Sequence, residues 1–193
     1  PKPREIADLG KMLFHTGKYE FGSIAFLLIK KHRPRMDRYV YERVKEWVES
    51  GVENWAHADL LASKITPVFL ELEIASMEDF EQWKASSSKW ARRVAILTMI
   101  WQINKMEAIA LLDFVSPMMN EEERVVQQGI GRFLRELWAV HPEETEALLE
   151  RHRGVCGTTL MQEATERMHP SKRKLFIPQN QRPRKNYKKP RSK

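Results

Sequence analysis

The sequence predicts an all-α fold, its helices stacked as an α-solenoid. Three observations carry this. Apolar residues recur at helical spacing along most of the 193-residue chain, and no stretch sustains the period-two alternation and hairpin turns of a sheet. Eleven short helical segments follow one another, with no long central helix of the kind that organises a bundle. Their connections are short, so consecutive helices should run antiparallel as neighbours. No exact repeat is visible, so this reading rests on helix length and linkage; a compact irregular all-α domain is the competing arrangement.

The segments expected to be helical are 3–15, 19–32, 36–50, 54–65, 67–75, 77–85, 88–104, 106–119, 121–140, 142–153 and 157–168. Pro34 and Gly51 break the early segments. Asn54 is placed to cap the fourth, which leaves Trp55 in its first turn. Thr66 before Pro67 reads as a cap followed by proline at the first helical position, where the missing N–H costs nothing. Ser76 with Asp79 three residues on resembles a capping box. In the seventh segment Val94, Leu97, Ile100 and Trp101 form an apolar stripe, and Trp90 and Trp101 are expected in the core rather than in a ligand cage. Asn120 is expected to cap the ninth segment, setting Glu121, Glu122 and Glu123 at the positive end of a helix dipole. Val126, Ile130, Phe133, Leu134 and Leu137 line the buried face of that segment. Pro142 opens the next helix and Gly154 ends it.

Charge divides the chain. The net charge is +7, yet residues 169–193 hold ten Lys and Arg and no acid. Setting those ten aside leaves 23 basic against 26 acidic residues, so the rest of the chain carries −3. The domains expected are therefore a helical-repeat body, 1–168, and a basic, disordered tail, 169–193, too rich in proline and one sign of charge to order itself. The tail is either solubilising or a nonspecific polyanion clamp. In the second case Lys172, Arg173 and Lys174 meet phosphates while Phe176 and Tyr187 stack on bases. No apolar run approaches the roughly 20 residues of a membrane span. The polar start carries no signal peptide, and the absent initiator Met is read as processing or trimming. The lone cysteine, Cys156, excludes an internal disulfide and favours a reducing compartment. With His152 it makes two ligands around a glycine, short of a metal site.

Three stretches carry residues that could do chemistry. In "NWAHAD", Trp55 and Asp59 lie four apart and share a helix face about one turn apart. In "KWARRVAI", Arg92 and Arg93 point about 100° apart. Spacing alone favours an ordinary surface pair there over a phosphate contact. In "GIGRFLREL", Gly129 and Gly131 sit inside a helix at a cost of roughly 1 kcal/mol each relative to Ala, which suits close approach of a neighbour. Arg132 and Arg135 lie three apart beside them; solvated arginines are the simpler reading and a basic groove strip the alternative.

In order and interval, these three motifs together resemble the AlkD-like DNA alkylation repair family, helical glycosylases built from HEAT-like repeats. The resemblance spans residues 20–168 and is clearest over 54–150. It implies antiparallel HEAT-like repeats with a concave, positively charged groove for duplex DNA containing alkylated bases. It implies release of N3- or N7-alkylated purines, with no metal or organic cofactor. On this resemblance Asp59 is catalytic, Trp55 lies against the lesion's sugar and backbone, and Arg93 is a groove arginine; Arg92, Arg132 and Arg135 are further DNA-binding candidates. A monomer in the cytoplasm, at the nucleoid if bacterial, is expected, with no membrane partner. Two departures stand out. Arg132 occupies the place of the family's second groove tryptophan, and an arginine can stack and bind phosphate but offers no negative π face to a cation. The chain also begins later than family members, which would shorten the groove. The enzyme reading requires Trp55, Asp59 and Arg93 to line one concave face, and it fails if Asp59 lies outside the curve or is buried against a structural arginine; the alternative is a noncatalytic HEAT-like scaffold that binds DNA or a protein.

Overall fold

A computed structural model describes residues 2–177. Among these residues the chain is all-helical: α1 (Pro3–His15), α2 (Tyr19–Lys30), α3 (Arg38–Ser50), α4 (Trp55–Lys64), α5 (Thr66–Glu71), α6 (Met77–Lys84), α7 (Lys89–Thr98), α8 (Ala108–Val115), α9 (Arg124–Trp138), α10 (Pro142–Arg151), α11 (Thr158–Ala164) and α12 (Pro170–Phe176), with short 3-10 turns at Arg33–Arg35, Met99–Gln102 and Ser116–Met118.

The packing order explains the arrangement. Helices α2, α4, α7, α9 and α11 each touch the next, forming one continuous row. The remaining longer helices back this row: α1 packs on α2 and α3, α3 and α6 on α7, and α10 on α8 and α9. This succession of paired helices is consistent with a helical-repeat solenoid. The core between them is apolar and aromatic: Trp47, Trp83, Tyr41, Phe69, Phe80 and Phe133 are fully buried. Their polar atoms are satisfied, since the Trp47 indole donates to the Ala7 carbonyl at 3.0 Å and the Trp83 indole to the Tyr41 hydroxyl at 2.9 Å. Glycines set the closest approaches. A methyl group at Gly131 would stand 2.5 Å from Glu163 Cβ and 2.7 Å from the Leu160 carbonyl oxygen, so α11 lies directly on the α9 backbone.

Several local expectations hold in detail. Asn54 caps α4 through the His57 amide at 2.9 Å, and Ser76 with Asp79 forms the expected capping box. Others need correction. Thr66 does not cap α5; its hydroxyl is buried against the Leu61 carbonyl and the Thr98 hydroxyl, tying α5 to α7. Asn120 does not cap α9, which starts at Arg124 behind Glu123, so the three acids precede the helix. Trp101 is not core: it follows α7 with 47% of its surface exposed, and Lys64 Nζ lies 5.6 Å from its ring.

The boundary expected at residue 168 also moves. Residues 170–176 form α12, and Phe176 and Ile177 are buried in the core. Two apolar side chains at the end of this two-turn helix anchor a segment whose overall composition argues for disorder. Phe176 is thus unavailable for stacking on bases. Tyr187 and the basic residues from Arg182 onward lie outside the described residues.

Candidate functional site

The site starts from the first turn of α4. Asn54 Oδ1 accepts from the His57 backbone amide, which leaves its Nδ2 to donate to His57 Nδ1 at 2.9 Å. His57 Nε2 then carries the proton and meets Ser23 Oγ at 3.1 Å, and Ser23 donates on to the Tyr19 carbonyl. The ring stacks on Tyr19 at 4.6 Å and meets Phe14 edge-on. Burial holds this imidazole below its ordinary pKa, against a smaller opposing effect of the Tyr19 backbone as acceptor, consistent with a neutral ring. His57 is the peg that fixes α4 to α2. The legible signal was an Asn cap with a hydrogen-bonding side chain three residues on.

The outcome of this anchoring is a defined pose for Trp55 and Asp59. Trp55 is 64% exposed at the start of α4. One turn later the Asp59 carboxylate turns toward α7 and α9. Arg93 meets it with two parallel bonds, Nε to Oδ1 at 2.8 Å and Nη2 to Oδ2 at 3.1 Å. A bidentate charge-assisted pair fixes both partners in plane. Arg93 Nη1 donates to the Val125 carbonyl of α9. Arg132, from α9, adds a bond from Nη1 to Asp59 Oδ2 at 3.2 Å. The side chains differ sharply in exposure: 7% for Arg93, 20% for Asp59 and 45% for Arg132.

Gly129 makes this convergence possible. A Cβ there would lie 3.3 Å from Ile96 Cγ2 and 3.4 Å from Arg93 Cγ, so α9 comes down onto the stem of Arg93. That approach brings the Val125 carbonyl and Arg132 within reach. Three consecutive members of the helical row, α4, α7 and α9, therefore share one ion cluster. Its formal charge is +1, two guanidinium groups against one carboxylate.

The candidates divide accordingly. Asp59, Arg93 and Arg132 meet, with Trp55 on the same helix as Asp59. Arg93 is no open phosphate contact; it is nearly buried and committed to Asp59 and Val125. Asp59 is paired with this structural arginine yet keeps part of its surface open. Arg92 lies elsewhere. It binds Glu121 through Nε at 2.7 Å and Nη2 at 3.1 Å and donates to the Ser86 and Ser87 carbonyls. It lines a cleft of about 700 Å³ with Lys84 and four acids, Glu81, Glu121, Glu122 and Glu123, so acids outnumber cations and the surface disfavours a polyanion. Arg135 is drawn to Glu136, Glu163 and Glu166. Lys172 pairs with Glu146 at 2.6 Å, Arg173 donates to the Gln162 carbonyl at 3.3 Å, and Lys174 is exposed on α12. No group of three or more His, Cys, Asp or Glu able to hold a metal occurs among the described residues. Among them no helix is long and apolar enough to cross a membrane.

The family model described as DNA alkylation repair enzyme matches residues 1–168. A solved structure, a predicted DNA alkylation repair enzyme from Enterococcus faecalis, superposes with a TM-score of 0.73 at 18% identity, covering 86% of this chain and 76% of that one. At that identity the likeness speaks for the fold. No curated relative matches the chain.

Proposed function

The chain belongs to the DNA alkylation repair enzyme family, and from that premise we propose that it is a DNA glycosylase releasing N3- or N7-alkylated purines from duplex DNA. The observation that carries this reading is the state of Asp59. Its carboxylate is fixed by a nearly buried arginine, stays partly open, and lies one turn from an exposed indole.

Alkylation at N3 or N7 puts positive charge on the base, so the base leaves with the bonding electron pair without a general acid. Charge then develops on the sugar as the N-glycosidic bond breaks. A carboxylate about 4 Å away stabilises that charge by roughly 4 kcal/mol at an effective dielectric near 20. Realised only in the transition state, this amounts to about a thousandfold in rate. Arg93 shares the carboxylate's charge and reduces this figure, but it also removes the need to orient the group during reaction. Asp59 accepts a hydrogen bond from the water that adds to the sugar. Trp55 packs on the deoxyribose and excludes solvent. A helix face that touches the backbone does this without swallowing the base in a deep pocket. The reading calls for no metal or organic cofactor, a single copy of the chain, and a compartment holding DNA: the cytoplasm, at the nucleoid in a bacterium.

The test is excision of 7-methylguanine from duplex DNA by wild type and by Asp59→Asn. The variant should bind duplex at least as tightly as wild type and lose excision; equal excision by both would remove Asp59 from the chemistry. A second reading, a noncatalytic scaffold for DNA or a protein, is favoured by one observation: Arg132 lies on the carboxylate that would have to face the sugar. A folded wild type that releases no alkylated base would support it.

A further inference from the structure

The two arginines on Asp59 are unlike. Arg93 is nearly buried, holds the carboxylate with two bonds and is tied to the α9 backbone through Val125. Arg132 is 45% exposed and touches the carboxylate through one nitrogen at 3.2 Å. One is a fixture and the other a half-exposed, singly bonded side chain that can move. The cluster also carries one positive charge more than its carboxylate neutralises, and that excess resides on the exposed member.

We propose that Arg132 is a phosphodiester-binding residue held in reserve on Asp59: a backbone phosphate of DNA draws its guanidinium away and leaves the carboxylate with Arg93 alone. The guanidinium fork suits a phosphate, which can accept two parallel bonds where Asp59 receives one. Asp59 cannot follow, because Arg93 holds it in plane. The exchange breaks no covalent bond; one charge-assisted hydrogen bond is traded for a pair. It rests on the nucleic-acid part of the proposed function and deepens it. In free protein, Arg132 masks the charge of Asp59; on DNA the carboxylate recovers it where the sugar lies. Arginine at this position then serves as a coupling between backbone binding and exposure of the carboxylate, rather than a lost aromatic wall.

The experiment needs no lesion. The affinity of an unmodified duplex is measured by fluorescence anisotropy, in phosphate-free buffer, for wild type, Asp59→Asn, Arg132→Ala and the double variant. Because a half-exposed ion pair is weak, freeing Arg132 should tighten binding about two- to fivefold in Asp59→Asn, and this gain should vanish on the Arg132→Ala background. Arg132→Ala should also reduce the slope of log affinity against log salt by about one. An equal gain in both backgrounds would mean that Asp59 only repels DNA at a distance and would overturn the proposal, as would no gain in either. Should Asp59→Asn fail to fold, duplexes with single neutral methylphosphonates test the same contact with wild type. One substituted position should weaken wild type and leave Arg132→Ala unaffected; absence of any such position overturns the exchange. A wild type that does not bind duplex removes the premise and the proposal together. Failure of the glycosylase reading shows separately, as a cycle that closes as expected in a protein that releases no base.

Discussion

Replacing Asp59 by Ala should destabilise the protein more than its partial exposure suggests. The reason is the partner, not the carboxylate. Arg93 has a side chain 7% exposed, and three of its contacts are the two bonds to Asp59 and one to the Val125 carbonyl. Removing the carboxylate strands a guanidinium in a nearly water-free position with one neutral acceptor. Breaking a buried pair in this way costs about 3–5 kcal/mol. Asp59 is itself 20% exposed, so water can enter and the lower end, about 3 kcal/mol, applies. For a chain of this size each kcal/mol shifts Tm by about 2–4 °C, so calorimetry should show a fall of about 6–12 °C. Asp59→Asn, which keeps an acceptor for Arg93 Nε, should fall less. The double variant Asp59→Leu with Arg93→Leu should recover much of the loss, because no charge is left unpaired. A Tm for Asp59→Ala within about 2 °C of wild type would refute the reasoning. It would mean that Arg93 finds water or another acceptor, and that the cluster is not a fixed element of the fold.

Other outcomes follow from the same geometry. Gly131→Ala should lower Tm clearly, by about 1–3 kcal/mol of stability, since its methyl meets the Leu160 carbonyl oxygen at 2.7 Å; Gly129→Ala, facing side-chain atoms at 3.3–3.4 Å, should cost less, and the reverse order in thermal melts would contradict the packing described. Burial depresses the pKa of His57 in the folded state, so its stabilising share is present above the unfolded value of about 6.5 and is lost as pH falls toward the folded one. The drop in Tm between about pH 7 and about pH 5 should therefore shrink in His57→Gln, and an unchanged drop would place the acid sensitivity elsewhere. Deleting residues 178–193 removes seven Lys and Arg while sparing α12, and should flatten the salt dependence of duplex binding; an unaltered slope makes that segment a bystander.

The body of the fold was legible because it is written in local signals. Apolar stripes and proline or glycine stops place the starts of α1 to α11 within three residues, but the segments expected at 67–75, 88–104, 106–119 and 157–168 end four to six residues early, and Asn54 and Ser76 cap as their spacing implies. Signals that compete were read less well. Thr66 and Asn120 are good capping types, but Thr66 is claimed by Thr98 across the core and Asn120 lies too far before Arg124. Helix α12 is not legible in the sequence because its order comes from docking Phe176 and Ile177, a tertiary gain that composition does not report. Within the site, Trp55 and Asp59 follow from one helical turn. That Arg93 would embrace Asp59, or that Arg135 would be taken by Glu163 and Glu166, depends on which helices become neighbours. Arg132 was visible as an arginine in place of a tryptophan; that it touches the carboxylate was not.

The central claim is that Asp59 acts on the sugar of an alkylated nucleotide. The direct measurement is release of free base from duplex DNA carrying 7-methylguanine or 3-methyladenine, by wild type and by Asp59→Asn under conditions where both are folded and bind the duplex. The account predicts excision by wild type and its loss, by about a thousandfold at most given the sharing of charge with Arg93, in the variant. Excision at equal rates by both proteins, or by neither, would contradict it.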